Sequence, residues 1–452
     1  MNLVQNMNEN QLKAILKTEG AVMVIAGAGS GKTRVLTNRI AYLISEKNVL
    51  ESNILAITFT NKAAKEMKER IYSLVGETSK YIWINTFHSM CVRILRQNIE
   101  LLGYNKNFTI LDVSEQKSII KNILKELNLS EDSYQPNNIL KIISKAKNNM
   151  TSVRDMRSQS RFGFMKNVSE IYGHYQNYLK KNSVLDFDDL MLKTIVLFEK
   201  HPEVLSIYQN KFQYIHVDEY QDTNVIQYKL IKMLSAVYKN VCVVGDDDQS
   251  IYSWRGACSD NIINFEKDYD NVELIFLDQN YRSNSTILDA ANAVIKNNTE
   301  RKEKALWSEN KSNRKISIYG ALNDKDETDD IARKILELNK EGMHVIGVAA
   351  KKKNVGDTTV FHAEDETNMT FLGIIAFLDP PKPDAKEAIR GLYDAGVHVK
   401  VISGDAPVVV EHVCKLVGMK VGDQKAVTGS DLENMSDLEL SSVVEKNDIF
   451  AR

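Results

Sequence analysis

The run Val24-Ile25-Ala26-Gly27-Ala28-Gly29-Ser30-Gly31-Lys32-Thr33 leaves little freedom to whatever folds around it. The apolar residues Ala21 to Ile25 suit a strand buried on both faces, and Arg34 to Ile44 carries apolar residues at helical spacing. A strand, a glycine-rich turn and a helix start in that order make an anion cradle. The turn's N–H groups converge, and the positive end of the helix dipole points the same way. Ala26, Gly27, Ala28, Gly29, Ser30 and Gly31 are therefore expected to wrap a phosphate, with Arg34 beside them. Lys32 would reach the outer phosphates, and the Thr33 hydroxyl would hold a divalent ion. Ala26 departs from the pattern G-x-x-x-x-G-K-[ST], whose first position is glycine; a methyl group still permits the turn.

Further apolar runs each end in polar or aromatic residues, the arrangement by which open α/β sheets present ligand-binding groups at the carboxyl ends of strands. Ile54 to Phe59 leads to Thr60 and Asn61, and Tyr81 to Ile84 leads to Thr86, Phe87 and His88. Phe212 to Val217 delivers Asp218 and Glu219, which suit a Mg²⁺ ligand and a group orienting an attacking water. Asn240 to Gly245 delivers Gln249, placed to sense a terminal phosphate, and Tyr252, Trp254 and Arg255, on which bases can stack. Val272 to Leu277 precedes Tyr281, a stacking ring, and Arg282, a candidate arginine finger. Upstream, the Gln11 carboxamide can both donate and accept, as reading an adenine edge requires. From about Asp112 to Lys211 amphipathic helices take over, predicting a helical insertion. It closes on Asp186, Asp188 and Asp189, expected as a solvated acidic helix start rather than a metal site.

A chain of 452 residues has room for about two to four domains. With a net charge of −2, any nucleic-acid binding must come from local patches and stacking rings. Cys91, Cys242, Cys258 and Cys414 lack zinc or disulfide spacing, and the chain shows neither a signal-peptide pattern nor an apolar run approaching about 20 residues. A cytoplasmic protein with no membrane partner and no obligate oligomer is expected.

Taken in order, Gln11, Ala26 to Thr33, Thr58 to Glu66, Thr86 to Ser89, Val217 to Thr223, Val244 to Gly256 and Gln279 to Ser283 resemble the motifs of the UvrD/Rep/PcrA family of superfamily 1 DNA helicases. The likeness covers residues 1 to about 335. It implies a RecA-like P-loop motor domain (1–110 and 205–280), a helical insert (111–204) and the start of a second motor domain (281–335). ATP and Mg²⁺ are the implied cofactors, and single-stranded and partly duplex DNA the implied partner. By the resemblance Lys32, Thr33, Asp218, Glu219, Gln249 and Arg282 serve ATP hydrolysis, while Gln11, Arg39 and Tyr281 hold the adenine. Phe59, Asn61, His88, Phe187, Tyr252 and Trp254 would line the DNA path.

Beyond about residue 340 the sequence resembles instead part of a magnesium-transporting P-type ATPase, the end of its nucleotide-binding domain (about 340–368) followed by its phosphorylation domain, of haloacid-dehalogenase-like fold. The likeness rests on Phe371 to Pro383, Ala385 to Gly396 and Val397 to Asp405, which read as strand, helix and strand. The phosphorylated D-K-T-G-T motif of that family is missing; Asp324-Lys325-Asp326-Glu327-Thr328 does not fit it. The last motifs of a second helicase motor are missing as well, so a 3′–5′ helicase or translocase with weak hydrolysis is expected. The alternatives are a non-catalytic module binding ATP and single strands and, less favoured, a fragment of a transport ATPase.

Overall fold

The computed structural model describes all residues except 1–4, 160–161, 251–259, 299–300, 303, 313–314, 317–319, 351–369, 379, 383, 420–423 and 434. The chain divides into two compact units, Met1–Ile316 and Ser317–Arg452.

The first unit is built on six parallel strands. In chain order come α1 (Glu9–Leu16), β1 (Val22–Ala26), α2 (Lys32–Ser45), β2 (Ile54–Thr58), α3 (Asn61–Val75), β3 (Trp83–Thr86) and α4 (Phe87–Asn98). After the insertion the sheet resumes with β6 (Tyr214–Val217), α11 (Val225–Ser235), β7 (Val241–Gly245), α12 (Asp260–Asp268), β8 (Glu273–Leu277) and α13 (Ser285–Ile295). Strand order is β3-β2-β6-β7-β1-β8, with every neighbouring pair parallel.

Because side chains alternate across a strand, each strand feeds two cores. Met23 and Ile25, Leu55 and Ile57, and Val241 and Val243 enter one core; Val22 and Val24, Ile54 and Ala56, and Cys242 and Val244 enter the other. Helices cover both faces, so the near-continuous apolar runs of the sequence are those of a sheet with neither face in water. Its carboxyl ends all lie along one edge, which therefore collects the segments that follow the strands.

The insertion comprises β4 (Thr109–Ile110), α5 (Val113–Glu126), α6 (Pro136–Asn148), α7 (Val153–Gln159), α8 (Phe164–Lys181), β5 (Val184–Leu185), α9 (Phe187–Lys200) and α10 (Pro202–Lys211). α5 to α8 share a core of their own around Ile120, Ile139, Val168 and Tyr175. α9 and α10 instead send Leu190, Ile195, Phe198 and Tyr208 into the sheet's core. The last helices of the predicted insertion thus pack as part of the motor domain and anchor the rest to it.

The second unit contains α14 (Asp324–Lys340), β9 (Met343–Ala350), β10 (Thr370–Leu378), α15 (Ala385–Asp394), β11 (Val401–Ile402), α16 (Pro407–Leu416), β12 (Val427–Thr428), α17 (Gly429–Leu432), α18 (Asp437–Lys446) and β13 (Ile449–Ala451). The expected strand-helix-strand grouping holds only in part. β10 pairs antiparallel with β9, whereas β11 belongs to a separate parallel sheet ordered β11-β13-β12. The alternation of Val397, Val399 and Val401 yields a strand only at Val401–Ile402, where β13 offers a partner. Ala385 and Ile389 of α15 do share a face, packed on a small core around Val410 and Cys414. Among the described residues no helix is long and apolar enough to cross a membrane.

Candidate nucleotide site and adjoining pocket

β1 runs straight into the glycine-rich turn, and α2 starts at Lys32. Gly29 and Gly31 have φ of +70° and +90°, conformations that cost side-chain-bearing residues strain. At Gly27 an added Cβ would press on the end of the Leu306 side chain, which would have to shift to admit it. Ser30 closes the turn, its Oγ donating to the Gly27 carbonyl at 2.7 Å. Ala26 ends β1 fully buried, so the departure from glycine falls where a small apolar side chain fits.

Lys32 and Thr33 open α2, whose first-turn N–H groups face the same end of the sheet. Lys32 Nζ lies 3.3 Å from Glu219 Oε2. β6 lies two strands from β1, and parallel pairing through β7 brings the two ends together. Glu219 adopts φ +48°, a left-handed conformation unusual for a non-glycine residue and of the kind stored at functional sites. Asp218 is 5% exposed, and burial, with the Glu219 charge, pushes its carboxyl up to about 6 against the pull of Lys32. Burial and Glu219 also push Asp222 up to about 6, and its Oδ1 has no hydrogen-bond partner. Three crowded carboxylates with one lysine among them are short of positive charge. A hard divalent cation suits the chemistry of that donor set.

This crowding has a measurable cost. An Asp218 pKa raised from 3.8 to about 6 favours the protonated folded state. Its stabilising contribution is complete below pH 3.8 and is lost as pH rises through about 6. At neutral pH the charged carboxylate therefore costs about 3 kcal/mol, at about 1.4 kcal/mol per pH unit. Asp218→Asn should raise metal-free stability by about 2–3 kcal/mol at pH 7.5 and by little near pH 4. Denaturant titrations in EDTA at the two pH values check this, and equal midpoints at pH 7.5 would contradict it.

Two residues to which the sequence assigned no role wire the site together. Gln221, 2% exposed, donates through Nε2 to Glu219 Oε2 at 3.0 Å and accepts through Oε1 from the Asp246 N–H at 3.0 Å. Asp246 in turn accepts from the Gln249 Nε2, so the phosphate-sensing candidate is held by the segment after β7. Asn280 donates to the Ala28 carbonyl at 2.5 Å and accepts from the Arg282 and Ser283 N–H groups. It thereby ties the segment after β8 to the loop. Lys304 Nζ sits among Asp246, Asp247 and Asp248 at 2.8, 2.5 and 2.7 Å. Arg301 also pairs with Asp248 at 2.7 Å, so two cations of the chain offset much of that acidic trio's charge.

The adenine assignments fare unevenly. The Tyr281 ring is half exposed beside Asn8, which donates to its hydroxyl at 2.8 Å, and the Tyr281 N–H donates to the Gly29 carbonyl. Arg282 follows it, its Cβ lying against Gly29 of the loop. Gln11 reaches the loop, but its amide is engaged at both ends, donating to the Ser30 carbonyl at 2.9 Å and accepting from the Asn8 N–H at 3.2 Å. Arg39 corrects the expectation outright. It is 1% exposed and donates to the Ala14, Lys17 and Thr18 carbonyls. A helix C-terminus leaves carbonyls unsatisfied, and this guanidinium caps α1 rather than facing a ligand. Arg34 lies exposed on the first turn of α2.

The β2 and β3 ends of the same edge form a pocket of about 540 Å³, lined in part by Phe59, Asn61, His88, Ser89 and Phe187. The His88 and Phe187 rings meet edge to face at 5.9 Å, and Phe59 meets Phe87 at 5.8 Å. Burial lowers the His88 pKa, favouring a neutral ring. Four residues expected to line the DNA path, Phe59, Asn61, His88 and Phe187, thus converge from three separate stretches, while Tyr252 and Trp254 lie outside the described residues. The acidic run at 186–189 is not a solvated helix start. Asp186 and Asp189 are buried against Lys147, at 2.6 and 2.9 Å. Only Phe187 turns outward, to the pocket.

An all-parallel sheet covered on both faces, a glycine-rich loop before a helix, and an acidic pair facing its lysine define a RecA-like P-loop nucleotide-binding fold. Comparison with known families agrees: residues 7–270 match the UvrD/REP helicase N-terminal domain, and residues 275–369 match the UvrD-like helicase C-terminal domain. The chain belongs to the UvrD/REP helicase family. The second match runs past residue 335, where the likeness was expected to stop. Among relatives, the ATP-dependent DNA helicase PcrA of Staphylococcus aureus is 53% identical over 340 residues, 75% of this chain and 47% of that protein. The protein of the same name from Staphylococcus epidermidis gives the same figures. The chain spans about half the length of the curated relatives it matches.

Proposed function

We propose that this chain is an ATP-hydrolysing motor of the helicase class that moves 3′–5′ on single-stranded DNA. The observation that carries the reading is the placement of the Lys32–Glu219 pair and the Phe59, His88 and Phe187 pocket along one edge of one sheet. The phosphates would sit on the loop from Ala26 to Thr33, with Tyr281 and Gln11 toward the base and Gln249 and Arg282 toward the terminal phosphate. Asp218 and Thr33 would hold Mg²⁺, which supplies charge neutralisation at the phosphates. Glu219, at the mouth of the site, would orient the attacking water. Stacking on Phe187, His88 and Phe59 would grip bases without regard to sequence. The protein would work in the cytoplasm, without an obligate oligomer, on single-stranded and partly duplex DNA.

For the 452-residue chain itself, feeble hydrolysis and no processive unwinding are proposed, because the final motifs of a second motor are not found in its sequence. Of the stretch 340–452, residues 370–452, beyond the helicase match, are proposed to be a partial haloacid-dehalogenase-like fragment, akin to magnesium-transporting P-type ATPases but without transport activity. Its small parallel sheet flanked by helices supports that reading.

Phosphate release and oligodeoxythymidine binding, measured on the same preparation, test the motor reading. Mg·ATP and DNA binding with slow, DNA-stimulated phosphate release are expected. Binding of both with no release would favour a non-catalytic module, and binding of neither would end the proposal. Phe187→Ala should weaken oligodeoxythymidine binding about tenfold by fluorescence anisotropy, the loss of roughly one stacked base. Unchanged affinity would remove Phe187 from the DNA path.

A further inference from the structure

We infer that Asn148 is a positioning residue through which the nucleotide site and the aromatic pocket sense one another. Its side chain stands between the two. The acidic run ending at Asp222 passes through Thr223, fully buried and fixed by Asn261, to Asn224, the N-cap of α11. Asn224 Nδ2 donates to Asn148 Oδ1 at 3.0 Å. Asn148 Nδ2 donates to Asp188 Oδ1 at 2.8 Å, and also to the Ser144 carbonyl at 2.9 Å. Asp188 immediately follows Phe187, whose ring meets His88 at the pocket.

The relay has a rigid base. The preceding residue, Lys147, is fully buried and paired with Asp186 and Asp189, so the end of α6 cannot drift from the start of α9. The amide is also the chemistry the position needs. One side chain must accept from Asn224 and donate to Asp188 at once, which a carboxamide does and a carboxylate or hydrocarbon does not. A shift of the Asp218–Asp222 segment on nucleotide binding would pull on Asn224, and through Asn148 on the backbone that aims Phe187. Reciprocity then requires DNA at the pocket to alter nucleotide affinity by the same factor.

The inference rests on the proposed reading of the two sites as binding ATP and single-stranded DNA. The test uses the full chain and a fluorescein-labelled oligodeoxythymidine, with its affinity measured with and without saturating Mg²⁺ and a non-hydrolysable ATP analogue. In the unaltered protein the analogue should change the DNA Kd at least about fivefold. In Asn148→Leu and Asn148→Asp that factor should fall below about twofold, with each ligand's separate Kd kept within about twofold of the unaltered protein. Asn148→Asp retains size and the acceptor for Asn224, so it serves if the leucine variant fails to fold. Asp188→Asn still offers an oxygen to Asn148 and should keep the coupling, an outcome that a merely structural role for this cluster would not single out. Coupling undiminished in both Asn148 variants overturns the inference. So does an unaltered protein that binds both ligands without coupling. Failure to bind either ligand strikes the underlying reading instead.

Discussion

Lys32→Ala is expected to lower Mg·ATP turnover at least about a hundredfold at saturating single-stranded DNA while leaving the fold intact. The ammonium faces the acidic crowd of Asp218, Glu219 and Asp222, and it stands at the start of α2 where phosphate oxygens would gather. Removing it takes away a charge-assisted contact that strengthens as charge builds on the transferring phosphoryl group. Nucleotide affinity should drop as well, about tenfold or more, readable by displacement of a fluorescent ATP analogue even where turnover is slow. The Glu219 carboxylate left behind is 40% exposed and keeps Gln221 as a donor, but Asp218 and Asp222 lose the positive charge that offsets their burial, so some stability is lost at neutral pH. A single cooperative melting transition, lowered at neutral pH, is expected. Retained turnover in the alanine variant would show that phosphate is handled elsewhere.

Lys147→Met should have the largest effect on stability, a loss of about 3–5 kcal/mol by denaturant titration at neutral pH. Burial alone would depress this lysine's pKa, but Asp189 and Asp186 outweigh it and hold the ammonium charged. Tyr175 adds a hydrogen bond to Asp186 at 3.0 Å. Methionine fills the space yet leaves two carboxylates in an interior with too few donors; burial already pushes Asp189 upward. The variant's deficit should shrink as pH falls, since a neutral carboxyl no longer needs the lysine. A loss below about 1 kcal/mol would mean water reaches the site. The insert, which contributes Lys147, and α9, which contributes both carboxylates, should loosen together in hydrogen exchange.

The sheet was legible because burial on both faces leaves apolar runs with few rivals, and because the glycine-rich turn admits few conformations. Every polar segment expected at a strand's carboxyl end is found along one edge as far as it is described, since parallel pairing forces that outcome. What sequence reading missed has no periodicity to betray it. Gln221 and Asn280 act through single hydrogen bonds between residues 25 and 252 positions apart. Arg39 was assigned to adenine, yet it lies on the face of α2 turned to the end of α1, and only the packing of the two helices reveals which carbonyls it meets. The acidic run at 186–189 was misjudged because its partner, Lys147, lies 39 positions away in another helix. In the second unit, β10 found an antiparallel partner in β9, a pairing that its apolar run could not specify.

The order of strands also dictates when the molecule can assemble. β1, near the start of the chain, pairs Val24 with Val244 on one side and with Ile275 on the other. Its two neighbours therefore leave the ribosome long after it does. Meanwhile the apolar segments from Ala21 to Ile84 have no finished sheet to join, whereas the α5–α8 bundle closes from contacts near in sequence. Synthesis would thus produce a folded helical knob on an unfinished core, a stage open to chaperones and to aggregation, until Leu277 arrives and accepts its hydrogen bond from Gly27.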